Sequence, residues 1–292
     1  MMNSVSKQSY YHHLKEKWLK THKDLHHALK EKHKDLASER LKKHLISSFM
    51  FAAIPLASPM ATPSATPLPV PTPAVVQEVH MTQKGFTELL RDKLPHEVEP
   101  LSSDQEKDVS SFLSDTFHMH VSPQLQGIRL NRSYGFIGQE QHLKRFPGDT
   151  IDTHFTSSEE AANYADKGMA PGLGAWGYFA YSQNEMTDKD ILREKYYIAV
   201  PTFLSPGWNE HAKDYVSFYK YRKMLVVNPE NGKAIVTDIA DAGPAEWTGK
   251  HLGGSPEVMK YLERVDGAQR GPVLYFFIDD PNDTIPLGPI NL

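Results

Sequence analysis

The chain has 292 residues, enough for one or two ordinary domains, with 39% hydrophobic residues and a mean hydropathy of −0.50, a balance of polar tails around a modest core. It contains no cysteine, which excludes disulfides, thiolate metal sites, cysteine nucleophiles and a lipidated cysteine together. The net charge of −4 is uneven: residues 1–44 carry eleven Lys/Arg against five Asp/Glu, which leaves −10 for the remainder.

Residues 1–44 are basic and His-rich, with His12, His13, His22, His26, His27, His33 and His44. Leu14, Trp18, Leu25, Leu29 and Leu36 form a narrow apolar stripe at helical spacing. A solvated cytoplasmic helix or tail accounts for such a charge run. Glu16, Asp24, Glu31 and Asp35 are interleaved with the lysines and cancel phosphate attraction locally, so no nucleic-acid partner is expected.

Leu45 to Ala57 is an uncharged apolar run, shorter than the roughly 20 residues that span a bilayer. Arg40, Lys42 and Lys43 precede it and small residues (Ala57, Ser58, Ala61) follow, the order of a signal peptide. Residues 45–61 are therefore expected to be a signal-peptide core or, extended through Met60, a signal anchor to the membrane. Seven prolines lie within residues 55–76, a composition that favours extended polyproline and cannot bury a core. Residues 62–81 are read as a stalk, and the protein as exported to the cell envelope or beyond.

Folding proper is expected from about Thr82. Ser103-Asp104-Gln105-Glu106 reads as a capping box, followed by Val109, Phe112, Leu113 and Phe117 at helical spacing, which predicts a helix over 104–118. Short strands are expected around Ile128–Leu130 and Tyr134–Ile137, and a short helix from Ser158 through Tyr164. Residues 82–168 are taken as a helical and irregular region packing on the β-rich C-terminal part of the chain.

From Gly172 the chain reads as β, with strand candidates at Ala175–Tyr181, Tyr196–Phe203, Tyr215–Tyr221, Lys223–Asn228, Ala234–Ala240 and Val273–Ile278. Pro201 marks an edge or early end of the second. Asn231-Gly232 between two β-rich runs is a strong hairpin signal. Asp241 follows the next strand directly, on a turn sharpened by Gly243 and Pro244. Ser255 is placed to cap a helix that starts at Pro256 and stops by Gly267.

This ordered series (Val226 to Asn228, Asn231-Gly232, Asp241, Gly243-Pro244, Ser255-Pro256) resembles the double-psi β-barrel of the bacterial rare-lipoprotein-A family. Expansins and membrane-bound lytic transglycosylase A are more distant likenesses. Gly174-Ala175-Trp176-Gly177 matches the small-Trp-x-Gly strand of that family, and Tyr197 to Val200 its Ala-rich strand. The resemblance spans about Ala170 to Asp280. It implies a mainly β fold (α+β overall): a six-stranded double-psi barrel over residues 169–292 with a few short helices. It also implies peptidoglycan or another polysaccharide as partner.

Glycan cleavage needs an acid beside the glycosidic oxygen. Lytic transglycosylases of this fold manage with one carboxyl as acid and then base, because a hydroxyl of the substrate is the nucleophile. Asp241 is the candidate, its apolar neighbours Ala240, Ala242 and Ala245 favouring the protonated form; an Asp before Gly also commonly bonds only its own turn. The family offers a His after its Ala-rich strand, where this chain has Val200-Pro201-Thr202. His211 is the nearest substitute, and the departure keeps a non-catalytic, expansin-like role open. Glu246 and Asp238 are alternative second carboxylates, although in an unbroken strand Asp238 and Asp241 face opposite sides.

Trp176, Tyr178 and Trp247, with Asn228, are the candidate substrate contacts; Trp208 is a further aromatic face, and aromatics are core residues more often than platforms. Glu140-Gln141-His142, Asp149 and His154, with His118 and His120, form a second polar constellation. It lacks an HExxH or comparable spacing, so no metal or cofactor is assigned from sequence. There is no P-loop, no GxGxxG after a strand and no GxSxG elbow, which leaves nucleotide enzymes and serine hydrolases unsupported.

Overall fold

Residues 81–264 and 270–292 are described by the computed structural model. The expectations for the basic segment, the apolar run, the stalk up to residue 80 and the stop at Gly267 lie outside the described residues.

The first elements are helices α1 (Gln83–Lys93) and α2 (Ser103–Phe117), then strands β1 (Val121–Ser122), β2 (Gln124–Leu125), β3 (Ile128–Arg129) and β4 (Tyr134–Gln139). Short helices α3 (Ile151–His154), α4 (Ser158–Tyr164) and α5 (Asp188–Lys195) lead to β5 (Tyr197–Val200), α6 (Trp208–Tyr219), β6 (Lys223–Val227) and β7 (Ala234–Ala242). The chain ends with β8 (Leu252–Gly254), α7 (Pro256–Tyr261), β9 (Arg270–Ile278) and β10 (Gly288–Ile290).

Six strands close into a barrel in the order β4-β8-β5-β7-β6-β9, with β9 returning to β4. Two neighbours run parallel, β4 with β8 and β5 with β7, and the other four pairings are antiparallel. Closure leaves the staves without a free edge; β1 and β10 add short pairings to β9 and β7.

Alternation along the staves separates two cores. Met224 and Val226 on β6, with Val273, Tyr275 and Phe277 on β9, join Ile137, Ile198, Ile239 and Leu252 in the cluster to which all six staves contribute, which is the barrel interior. Leu225, Val227, Leu274 and Phe276 point the other way, onto Phe86 and Leu90 of α1 and Val109 and Leu113 of α2. Both faces of β6 and β9 are thus buried, which is why they read as unbroken apolar runs.

Several expectations hold. Ser255 caps α7 through Val258 N at 3.2 Å, with Pro256 as its first residue. Strands β5, β6, β7 and β9 and helix α4 occupy their expected stretches, and β5 ends just before Pro201. The capping box of α2 lies one residue earlier than expected, between Ser102 and Gln105.

Others are corrected. Tyr215–Tyr221 belongs largely to α6: Trp208 and Tyr215 stack at 5.7 Å and Tyr215 and Tyr219 at 6.2 Å, so helical spacing overrides the β propensity of these aromatics. Ala175–Tyr181 is a turn and bends, entered by a Gly177 N to Gly174 O bond of 3.0 Å. The two staves that replace these candidates are β4, from upstream of Gly172, and β8, of which two residues of three are glycine. The β6–β7 loop is longer than a two-residue hairpin: Gly232 N bonds Asn228 O at 2.8 Å and Asn228 N bonds Lys233 O at 2.9 Å, with Gly232 alone at positive φ.

Seven α-helices are found among the described residues, and no helix there is long and apolar enough to cross a membrane.

Candidate functional site

Strand β7 delivers Asp241 at its C-terminal end, and a register skip aims it. Ile198 pairs with Ile239 and Ala199 with Asp241, so Ala240 is an extra residue on β7. Such a bulge rotates the residues beyond it. Asp238 and Asp241 oppose Tyr197 and Ala199, two apart on β5, and so share a face of the strand. The expectation that they face apart assumed an unbroken strand and is corrected by the bulge.

The Gly174–Gly177 turn lies against this strand end. Trp176 donates its indole N–H to Ile239 O at 2.9 Å. A Cβ on Gly174 would lie 3.1 Å from Leu143 Cδ1 and 3.4 Å from Ala240 O, so a side chain there would press on Leu143, which would have to give by a few tenths of an ångström. The next residue, Ala175, donates its N–H to Asp241 Oδ1 at 2.7 Å, and Ala242 N donates to the same oxygen at 2.8 Å. Oδ2 takes no hydrogen bond among the described residues. Burial pushes the Asp241 carboxyl up to about 6; the two amides oppose that shift and the charge of Glu140 adds to it. The residue as a whole retains part of its surface.

Glu140, one residue past β4, bonds Lys250 Nζ at 2.6 Å, and the same ammonium reaches Gln139 O at 3.0 Å. Gly253 leaves the room for Glu140: a Cβ there would stand 2.5 Å from Glu140 Oε1. The Tyr197 phenol, raised by burial and then by the charges of Asp241 and Glu140, donates to Gln141 O. A carboxyl held by one oxygen, bonded by backbone amides and kept largely out of water is equipped to hold and release a proton near neutral pH.

The other sequence-derived candidates fall in varied places. Trp247 is 85% exposed and Glu246 is exposed beside it, on the turn Glu246–Thr248 that follows the cis Gly243–Pro244 peptide. Tyr178 is partly open at 37%, while Trp176 is half-buried against the core. His211 lies exposed on α6, with Asp214 Oδ2 at 3.9 Å as its ionic neighbour. Asn228 is buried, and its amide is taken up internally: Nδ2 donates to Leu262 O at 2.8 Å and Oδ1 accepts from Glu230 N and Arg264 Nη2. Asp238 is buried with neither oxygen hydrogen-bonded, and burial holds its pKa well above the usual carboxylate range.

A second polar centre gathers around Glu194. Glu194 at the end of α5 is fully buried; it accepts from Arg145 Nε at 3.0 Å and Nη2 at 2.8 Å, and from Leu143 N at 3.0 Å. His154 Nε2 lies 3.0 Å from Glu194 Oε2 and its Nδ1 lies 2.9 Å from Asp149 Oδ2. His142 and Glu257 complete the group. His142, Asp149 and His154 were visible in sequence as a constellation, whereas Arg145, Glu194 and Glu257 come from segments that carry no shared motif.

No protein-family model matches the chain, and no curated protein matches it.

Proposed function

We propose that the barrel is of the double-psi type seen in rare lipoprotein A, and that it acts on the glycan strands of peptidoglycan in an exported, envelope-located protein. The chemistry is lytic-transglycosylase-like, with Asp241 as the acid and then the base. The observation that carries this reading is the state of Asp241: one oxygen fixed by two amides, the other unbonded, and a pKa of about 6. In that state Oδ2 protonates the leaving glycosidic oxygen and then takes the proton of the substrate hydroxyl that attacks the sugar carbon. The mixed parallel and antiparallel closure of six staves, with Asp241 at the end of one of them, agrees with the fold the resemblance implies.

Trp247 and Tyr178 offer exposed aromatic faces on which sugar rings can stack. Glu246 and His211, both exposed, are the remaining candidates for an assisting group. The chain has Val200-Pro201-Thr202 where the resembled family offers a His, and His211 stands exposed on α6; this departure favours a second reading, in which the barrel holds glycan without cutting it, as an expansin does. Incubation of the full chain with purified peptidoglycan separates the two: anhydro-sugar products support cleavage, and retention on the polymer without products supports binding alone.

A further inference from the structure

We propose that His142 Nδ1, His154 Nε2, Glu194 and Glu257 form a closed structural site for one divalent transition-metal ion, with zinc as the best-fitting class. One ring nitrogen each of His142 and His154 and a carboxylate oxygen of Glu194 lie within 4.8 Å of one another. Glu194 Oε1 stands 3.4 Å from His142 Nδ1, and Glu257 lies just outside this trio, its Oε2 4.0 Å from that same nitrogen, placed to move in as a fourth group. Atoms bound to one tetrahedral zinc at about 2.0–2.2 Å lie roughly 3.3–3.6 Å apart; His142 Nδ1 and Glu194 Oε1 already meet that spacing, and Glu257 has to move inward to join them.

Three independent observations point to a cation there. First, each imidazole has its outer nitrogen partnered: His142 Nε2 with Tyr164 O at 3.3 Å and His154 Nδ1 with Asp149 Oδ2 at 2.9 Å. An N–H directed outward to a carbonyl or carboxylate turns the other nitrogen's lone pair inward, the arrangement typical of metal-ligating histidines. Second, His142 Nδ1 and Glu257 Oε2 are both buried with no hydrogen-bond partner among the described residues, and both border the same space. Burying such groups unpartnered is costly. Third, Glu194, Glu257 and Asp149 set three carboxylates against the single guanidinium of Arg145, all buried. The carboxyl groups outnumber the guanidinium, an imbalance that a divalent ion would reduce.

The side chains of His142, His154 and Glu194 have no exposed surface and that of Glu257 only 4%. No position is open to substrate, so the role is structural. The ion would tie the segment after β4 and α3 to α5 and α7.

The test uses the full chain, stripped with a chelator and titrated with zinc alone, reading metal content and thermal midpoint. Expected are stoichiometric tight binding and a raised midpoint for the wild-type chain. In Glu257→Gln, which preserves shape, and in His142→Ala, zinc should leave the midpoint of the folded unit unmoved. The histidines of residues 1–44 remain in every variant, so zinc bound equally by wild type and both variants belongs to them and overturns the proposal. A wild-type midpoint that does not respond to zinc also overturns it, and means that protons balance the buried charge; this readout needs no variant to fold.

Discussion

Ala175 N–H reaches Asp241 Oδ1 at 2.7 Å across 66 residues of chain, joining the Gly174–Gly177 turn to the end of a barrel stave. That bond and the one from Ala242 hold one carboxyl oxygen and leave the other unbonded. The relationship depends on the extra residue at Ala240, which brings Asp241 into phase with Ala199.

The pH dependence follows from the raised Asp241 pKa. The acid form is needed for cleavage, so kcat/KM on a soluble glycan should fall as pH rises through about 6. Stability moves in the same sense: a carboxyl whose folded pKa exceeds its unfolded value binds more protons when folded. Its contribution is therefore present at low pH and lost as pH rises from the unfolded value through about 6. Thermal midpoints measured between pH 4 and 7 should fall less steeply in Asp241→Asn.

Asp238 serves as the control. It is buried, burial pushes its carboxyl well above the usual range, and neither oxygen is hydrogen-bonded, with Arg193 Nε 3.6 Å from Oδ2. Asp238→Asn keeps the shape of the side chain, so stability should change by about 1 kcal/mol or less and cleavage should persist, as read by denaturant titration and product analysis.

Trp247 tests the aromatic platform. At 85% exposure it contributes little to packing, so Trp247→Ala should leave the thermal midpoint unchanged. Loss of one stacking face should weaken retention on peptidoglycan in a sedimentation assay about tenfold, a loss of roughly 1.4 kcal/mol.

Gly232 tests the packing of α1 on the β6–β7 loop. It adopts φ +74°, and a Cβ would lie 3.1 Å from both Phe86 Cδ1 and Thr87 Cγ2. Gly232→Ala should cost about 1–2 kcal/mol from the left-handed backbone alone, measured by denaturant unfolding.

Local chemistry was the legible part of the sequence. Ser255-Pro256 announces α7 because capping is decided within four residues, and β6, β7 and β9 announce themselves through β-branched and aromatic runs. Strand β8 carries no such signal, since Gly253 and Gly254 are there to admit Glu140, Ile137 and Met259. The aromatics of α6 satisfy β propensity until Trp208, Tyr215 and Tyr219 are seen as one helical face. Asp241 could be singled out by its turn, but the bulge that aims it and the amide that fixes it come from tertiary pairing. The same holds for Glu194, whose partners Arg145, His142 and His154 come from another part of the chain.

The most direct measurement is product analysis of peptidoglycan digested by the wild-type chain, Asp238→Asn and Asp241→Asn in parallel. The expected result is anhydro-sugar products from the first two and none from Asp241→Asn, with all three folded. Undiminished products from a folded Asp241→Asn would contradict the role given to that carboxyl.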